Sequence, residues 1–237
     1  MTQLHSLAEL EALVVEQARI ALELRDPQYV QAFQAALPGG LEAAIAAARP
    51  HLEEEQPWWY ELLTSLLSVE LTMDHVKHAL SLTNTHRGAD ARSDGRLLRY
   101  HVDNWVIQTT ALLEKADHLI CRVYRVLVRR VDPTGYRDKL RIARGHLLTL
   151  QQQYGNVRNP LLHPLGGPSR AIEEDRLWEA HVLVGATSAD VIGGHDHALP
   201  SMRDRWYQQN TNRSHVVLAI IEAAFAQAVR DARPGQG

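Results

Sequence analysis

The chain has 237 residues, 45% apolar and 22% charged, with a net charge of −3. That length is enough to bury one sizeable core and argues for a single domain over 1–237. Its one cysteine, Cys121, excludes an intrachain disulfide and a cysteine-built zinc site and fits a reducing cytoplasm. The acidic N-terminal stretch is not that of a secretory leader, and no run approaches the roughly 20 uninterrupted apolar residues of a membrane span. A cytoplasmic protein with no membrane partner is expected.

The charge is unevenly spread. Residues 1–86 carry −8, residues 87–163 carry +7 and residues 164–237 carry −2. The basic block points to an anionic partner, unless folding interleaves it with the acidic first third.

In chain order, Leu7, Leu10, Val14, Ala18, Ile20, Ala21 and Leu24 recur at helical spacing, and Asp26-Pro27 stops that helix. Short helices over 27–56, broken by Pro38-Gly39-Gly40 and by Pro50, read as a decoration inserted into the fold. Pro57 opens a long helix, because its missing N–H is not needed in a first turn. Small polar residues over 84–95 read as a loop. A helix from about Arg96 to Val131 follows. Leu112, Leu113, Ala116, Leu119, Ile120, Val123, Leu127 and Val131 form its apolar face, and Lys115, His118, Arg122, Arg125 and Arg129 share another. Asp132-Pro133 ends it. The next helix starts at Gly135 or Tyr136 and is interrupted at Gly155 and the prolines beyond. An amphipathic helix begins near Ala171, a turn is expected at 193–200, and a last long helix ends before a frayed tail at 233–237. No strand alternation or repeat is present, so the fold class is all-α, an up-down helix bundle.

The candidate site is Arg158-Asn159-Pro160-Leu161-Leu162-His163, where the helical pattern breaks. Asn159-Pro160 suits an N-cap and first helical position, while Pro164 disturbs the turn that would follow. Metal-free RNA cleavage needs a group that moves protons near neutral pH and a cation that holds the phosphate. His163 and Arg158 have those properties, and Asn159 can fix the geometry. Arg and His five apart, with Asn directly after the Arg, resemble the motif of the HEPN superfamily, all-helical proteins of which many are metal-independent ribonucleases. The resemblance implies catalytic roles for Arg158 and His163, no cofactor, a homodimer joining two motifs in one cleft, and products ending in a 2′,3′-cyclic phosphate. It also implies a toxin or phage-defence setting, with room for a regulatory protein partner. The plainer alternative has Arg158 capping carbonyls and His163 in a turn.

Around the motif, Arg122, Arg125, Arg129, Arg141 and Arg144 are candidates to track an RNA backbone, against the alternative of a solvated face paired with acids. Asp117 and His118 are candidates for polar support of the motif. His75 and His78 near Glu70 and Asp74 form the best metal-like cluster, yet no Glu has a His three residues on, as a di-iron bundle needs, and no metal is expected. Trp105 and Trp178 read as core, Trp58, Trp59 and Tyr60 as a core anchor or dimer surface, and Cys121 as a buried, inert thiol. A catalytically inactive interaction bundle and a metal-binding four-helix protein are the alternative functions.

Overall fold

The computed structural model describes residues 4–25, 27–39, 41–51, 58–88, 91–162 and 189–233; at 156–162 and 189–202 the description is of the backbone. The α-helices are α1 (His5–Arg25), α2 (Pro27–Ala36), α3 (Leu41–Ala48), α4 (Trp58–Thr85), α5 (Ala91–Val123), α6 (Arg129–Val131), α7 (Tyr136–Leu162) and α8 (Ala189–Ala232). Two 3-10 turns flank α3, and no strand occurs among the described residues.

The 28 residues of α4 contain no Gly or Pro, and their buried positions Leu62, Leu66, Val69, Met73, Val76 and Leu80 alternate steps of four and three. That spacing keeps one stripe against α5 for the whole length. Lys115 donates to Thr72 at 2.7 Å and Arg122 to the Glu61 carbonyl at 3.0 Å, so α4 and α5 are antiparallel. Arg144 meets Asp117 and Tyr154 meets Trp105, which makes α7 antiparallel to α5. Trp105 Nε1 donates to Ser214 at 3.0 Å and the Tyr124 hydroxyl to Asp231 at 2.7 Å, so α8 runs parallel to α5. The four long helices alternate in direction, as in an up-down bundle. In α5, Leu112, Leu113, Ala116, Leu119, Ile120 and Val123 are fully buried. The first half of α1 joins this core, and its N-terminus is tied to α8 where the Ser6 N–H donates to Glu222 at 2.9 Å. Between 27 and 51, α2 and α3 pack chiefly on each other, and their buried Ala44 and Ala48 lie outside the main core.

Several element bounds differ from expectation. Burial in α1 stops at Ala18, and Leu24 is 79% exposed, because the last turn of that helix passes beyond the core. The loop expected over 84–95 shrinks: α4 reaches Thr85 and α5 starts at Ala91. Asp94 is the reason, since its carboxylate accepts the Gly88 N–H at 2.7 Å and faces Arg203, which anchors the start of α5 close to the end of α4. The turn expected at 193–200 lies inside α8, and α7 continues through Gly155 and Pro160 to Leu162. Glycine and proline costs, about 1 and 3 kcal/mol per residue, are local, and a helix nucleated by packing on either side propagates past them. The helix near Ala171, Trp178, and residues 234–237 lie outside the described residues.

The helix expected to reach Val131 is not uniform. Tyr124–Val128 is a π turn, after which α6 completes the rod. Tyr124, Leu127 and Val128 are buried there, while Val131 is 41% exposed. Asp132 then leaves the helix in an extended conformation (φ −135°, ψ 84°), which Pro133 favours in the residue before it. Its carboxylate accepts the Gly135 N–H at 2.7 Å to start α7. That bond, with Lys139 nearby, holds the Asp132 carboxyl below its ordinary range.

Candidate functional site

Two polar regions stand out along α5. The first is a cleft of about 600 Å³ between α4, α5, the π turn and α7. Arg122, Arg125, Arg144, His118, Asp117 and Glu114 line it, together with Glu61, Cys121, Val126 and Gln151. Three of the five arginines proposed for RNA therefore face one cavity, with both of the residues proposed for polar support. Their charges are largely matched. Arg144 holds Asp117 through two hydrogen bonds, Nε to Oδ1 at 2.6 Å and Nη2 to Oδ2 at 2.7 Å. This bidentate geometry raises the pKa of Arg144 further above its ordinary value. Arg122 donates to Ser65 at 2.9 Å and lies 3.7 Å from the Glu61 carboxylate, so part of the basic block does meet the acidic first third. Arg125 is exposed and makes no ion pair among the described residues, and His118 is exposed beside it. Cys121 is half-buried instead of enclosed. Burial and the nearby Asp117 push its thiol pKa up, which disfavours the reactive thiolate.

The remaining arginines lie outside this cleft. Arg129 sits 5.7 Å from the Tyr136 ring centre, and exposed Arg141 reaches Asp138 at 3.4 Å. Arg125 lies within the π turn and Arg129 directly after it; the first lines the cleft and the second does not. Arg130 lies 4.5 Å over Trp58, which fixes that ring against the core; Tyr60 remains 50% exposed.

The backbone of Arg158 and Asn159 lies in the last turns of α7, at the end of a helix and not at the start of one. His163 lies outside the described residues, as do Pro164 and the Gly-Gly-Pro that follows. Arg158 is 14 residues beyond Arg144 on the same helix, a rise of about 21 Å. Within one chain, then, Asp117 and His118 line the cleft and stand far from the backbone of Arg158. Continuing the α5–α7 register past Tyr154 and Trp105 instead brings Arg158 to about the level of His101.

That end of the bundle holds the second polar region. His101 is 3% exposed, and its Nε2 lies 2.9 Å from Nδ1 of His86, an exposed side chain just beyond α4. Behind them Arg203 of α8 is 1% exposed. Its Nη1 donates to the carbonyls of Thr83 (2.7 Å) and His86 (3.0 Å), closing the C-terminal end of α4. Its Nη2 is 2.7 Å from Asp94, an ion-pair contact without the alignment of a hydrogen bond. The Nδ1 of His101 has no hydrogen-bond partner among the described residues. Burial, followed by the charges of His86, Arg203 and His78, lowers the pKa of His101 below the ordinary 6.5. Sequence reasoning missed this group, because nothing in a single sequence separates Arg203 from the other polar residues in the middle of its helix.

No three His, Cys, Asp or Glu side chains converge on a metal-binding arrangement among the described residues. His75 and Asp74 are exposed, and Asp74 is engaged by Lys77 at 2.8 Å. No described helix is long and apolar enough to cross a membrane. No family model, curated protein or solved structure matches the chain.

Proposed function

We propose that this chain is a HEPN-like, RNA-binding helical bundle that cleaves RNA without metal, acting as a homodimer. In this reading Arg158 stabilises the scissile phosphate, His163 moves the protons and Asn159 holds the geometry. The observation that carries it is the position of Arg158 and Asn159 at the end of α7, level with the His86–His101 pair. Arg158 and Asn159 thereby share one end of an all-helical bundle with the His86–His101 pair and Arg203. Exposed Arg125 and Arg129 supply cations for an RNA backbone away from that end.

The test is RNA cleavage in EDTA by the wild type, Arg158→Ala and His163→Ala, with product 3′ ends identified. Cleavage to cyclic phosphate ends by the wild type, and none by two folded variants, is the expected result. Intact RNA with the folded wild type sinks catalysis. A second reading, an inactive interaction bundle, draws on the charge-matched cleft and on Tyr60, Leu67 and Leu71, which lie seven and four residues apart on α4 and are each at least half exposed. Salt-sensitive RNA binding separates the two.

A further inference from the structure

We propose that His86 and His101 form an acid-operated latch that holds the α4–α5 connection to α8, and that a second proton on the pair releases it. The inference is independent of the ribonuclease reading, because neither the geometry nor the test involves RNA.

The argument starts from proton counting across the 2.9 Å contact. With both rings neutral, one nitrogen donates and the other accepts. One added proton keeps the bond, since an imidazolium donates to a neutral imidazole. A second makes both facing nitrogens donors, and the contact becomes repulsive. His86 is exposed and gives the pair access to solvent protons, while His101 is 3% exposed, so bulk solvent does little to spread its charge. The surroundings oppose the second charge. Arg203 of α8 stands behind the pair, His78 of α4 adds to the positive side when protonated, and the Tyr100 ring packs edge-on against His101 at 5.3 Å. Asp94 of α5 is the facing carboxylate, and it is occupied by Arg203 and by the Gly88 N–H. The depressed pKa of His101 agrees with this balance.

The pair is mechanically coupled to the chain path. The Nη1 of Arg203 holds the His86 carbonyl, so displacing the His86 ring strains the same residue that α8 grips. Acid therefore loosens Thr83 to Gly88 and the first turns of α5 while the centre of the core stays closed. The sign follows from linkage. A histidine whose pKa is lowered on folding contributes its full stability above the unfolded value of about 6.5 and loses it as the pH falls below that.

The test is amide hydrogen exchange at pH 7.0 and 5.0, corrected for intrinsic rates, comparing 83–88 with 112–120. In the wild type, exchange at 83–88 should rise several-fold at pH 5.0, with 112–120 unchanged. His86→Gln keeps a donor on His101 without a second titrating ring and should hold the rise below about two-fold. His101→Phe removes the buried charge and should do the same; if it fails to fold, His86→Gln decides. Flat wild-type exchange, an equal rise at 112–120, or an undiminished rise in His86→Gln overturns the latch. A His101 ring that titrates at the ordinary histidine value by NMR overturns it as well.

Discussion

At Asp117 and Arg144, opposite charges meet through two short hydrogen bonds with solvent at hand; about 24 Å along α5, Arg203 and His101 are buried with their bonding incomplete among the described residues. The first pair satisfies itself. Arg144 and Asp117 retain 29% and 14% of their side-chain exposure, so water shares the cost of holding the charges. Among the described residues, the second region leaves a buried Nδ1 unpartnered and one guanidinium nitrogen in an ion pair without a hydrogen bond. Similar residue types give a stable tie in one place and a sensitive one in the other. The difference lies in solvent access and in the spare bonding capacity of each group.

That contrast can be broken by substitution. Arg203→Met should be the most damaging, lowering stability by about 3–5 kcal/mol in urea unfolding, because it strands Asp94 and two carbonyls at the end of α4. A loss under about 1 kcal/mol would mean that water takes over these bonds, as at the cleft. Arg144→Ala should cost less, about 1–2 kcal/mol, as its partner can rehydrate. A double-mutant cycle with Asp117→Asn should return a coupling near 1 kcal/mol, and zero coupling would remove the pair from the list of structural ties. Arg125→Ala should change stability least, within about 0.5 kcal/mol. If RNA follows the cleft wall, the same change should lower the slope of log affinity against log salt by about 1. An unaltered slope would leave the cleft as a structural feature.

The long helices were legible in the sequence because apolar periodicity carries their burial. The predicted face of α5 from Leu112 to Val123 is wholly buried, and Asp132-Pro133 stops the helix where proline favours an extended residue before it. What could not be read depends on contacts made by distant residues. Asp94 shortens the 84–95 loop through Gly88 and Arg203, a residue more than 100 positions away. Gly155 and Pro160 looked like stops but sit within the last turns of α7. The arginines were visible as a set, whereas their sorting into paired and exposed members required knowing that Asp117 faces α7 and Glu61 faces Arg122.

The π turn at Tyr124–Val128 amounts to one surplus residue wound into a helix. It has a bearing on how this sequence can change over generations. A deletion within Tyr124–Val128 would remove the surplus and restore ordinary winding with Arg130 still near Trp58, whereas a deletion in the regular turns of α5 would swing everything beyond by about 100° and carry Arg130 off Trp58. The surplus is therefore a reserve: descendants of this chain can lose a residue in that stretch far more readily than in the regular turns before it.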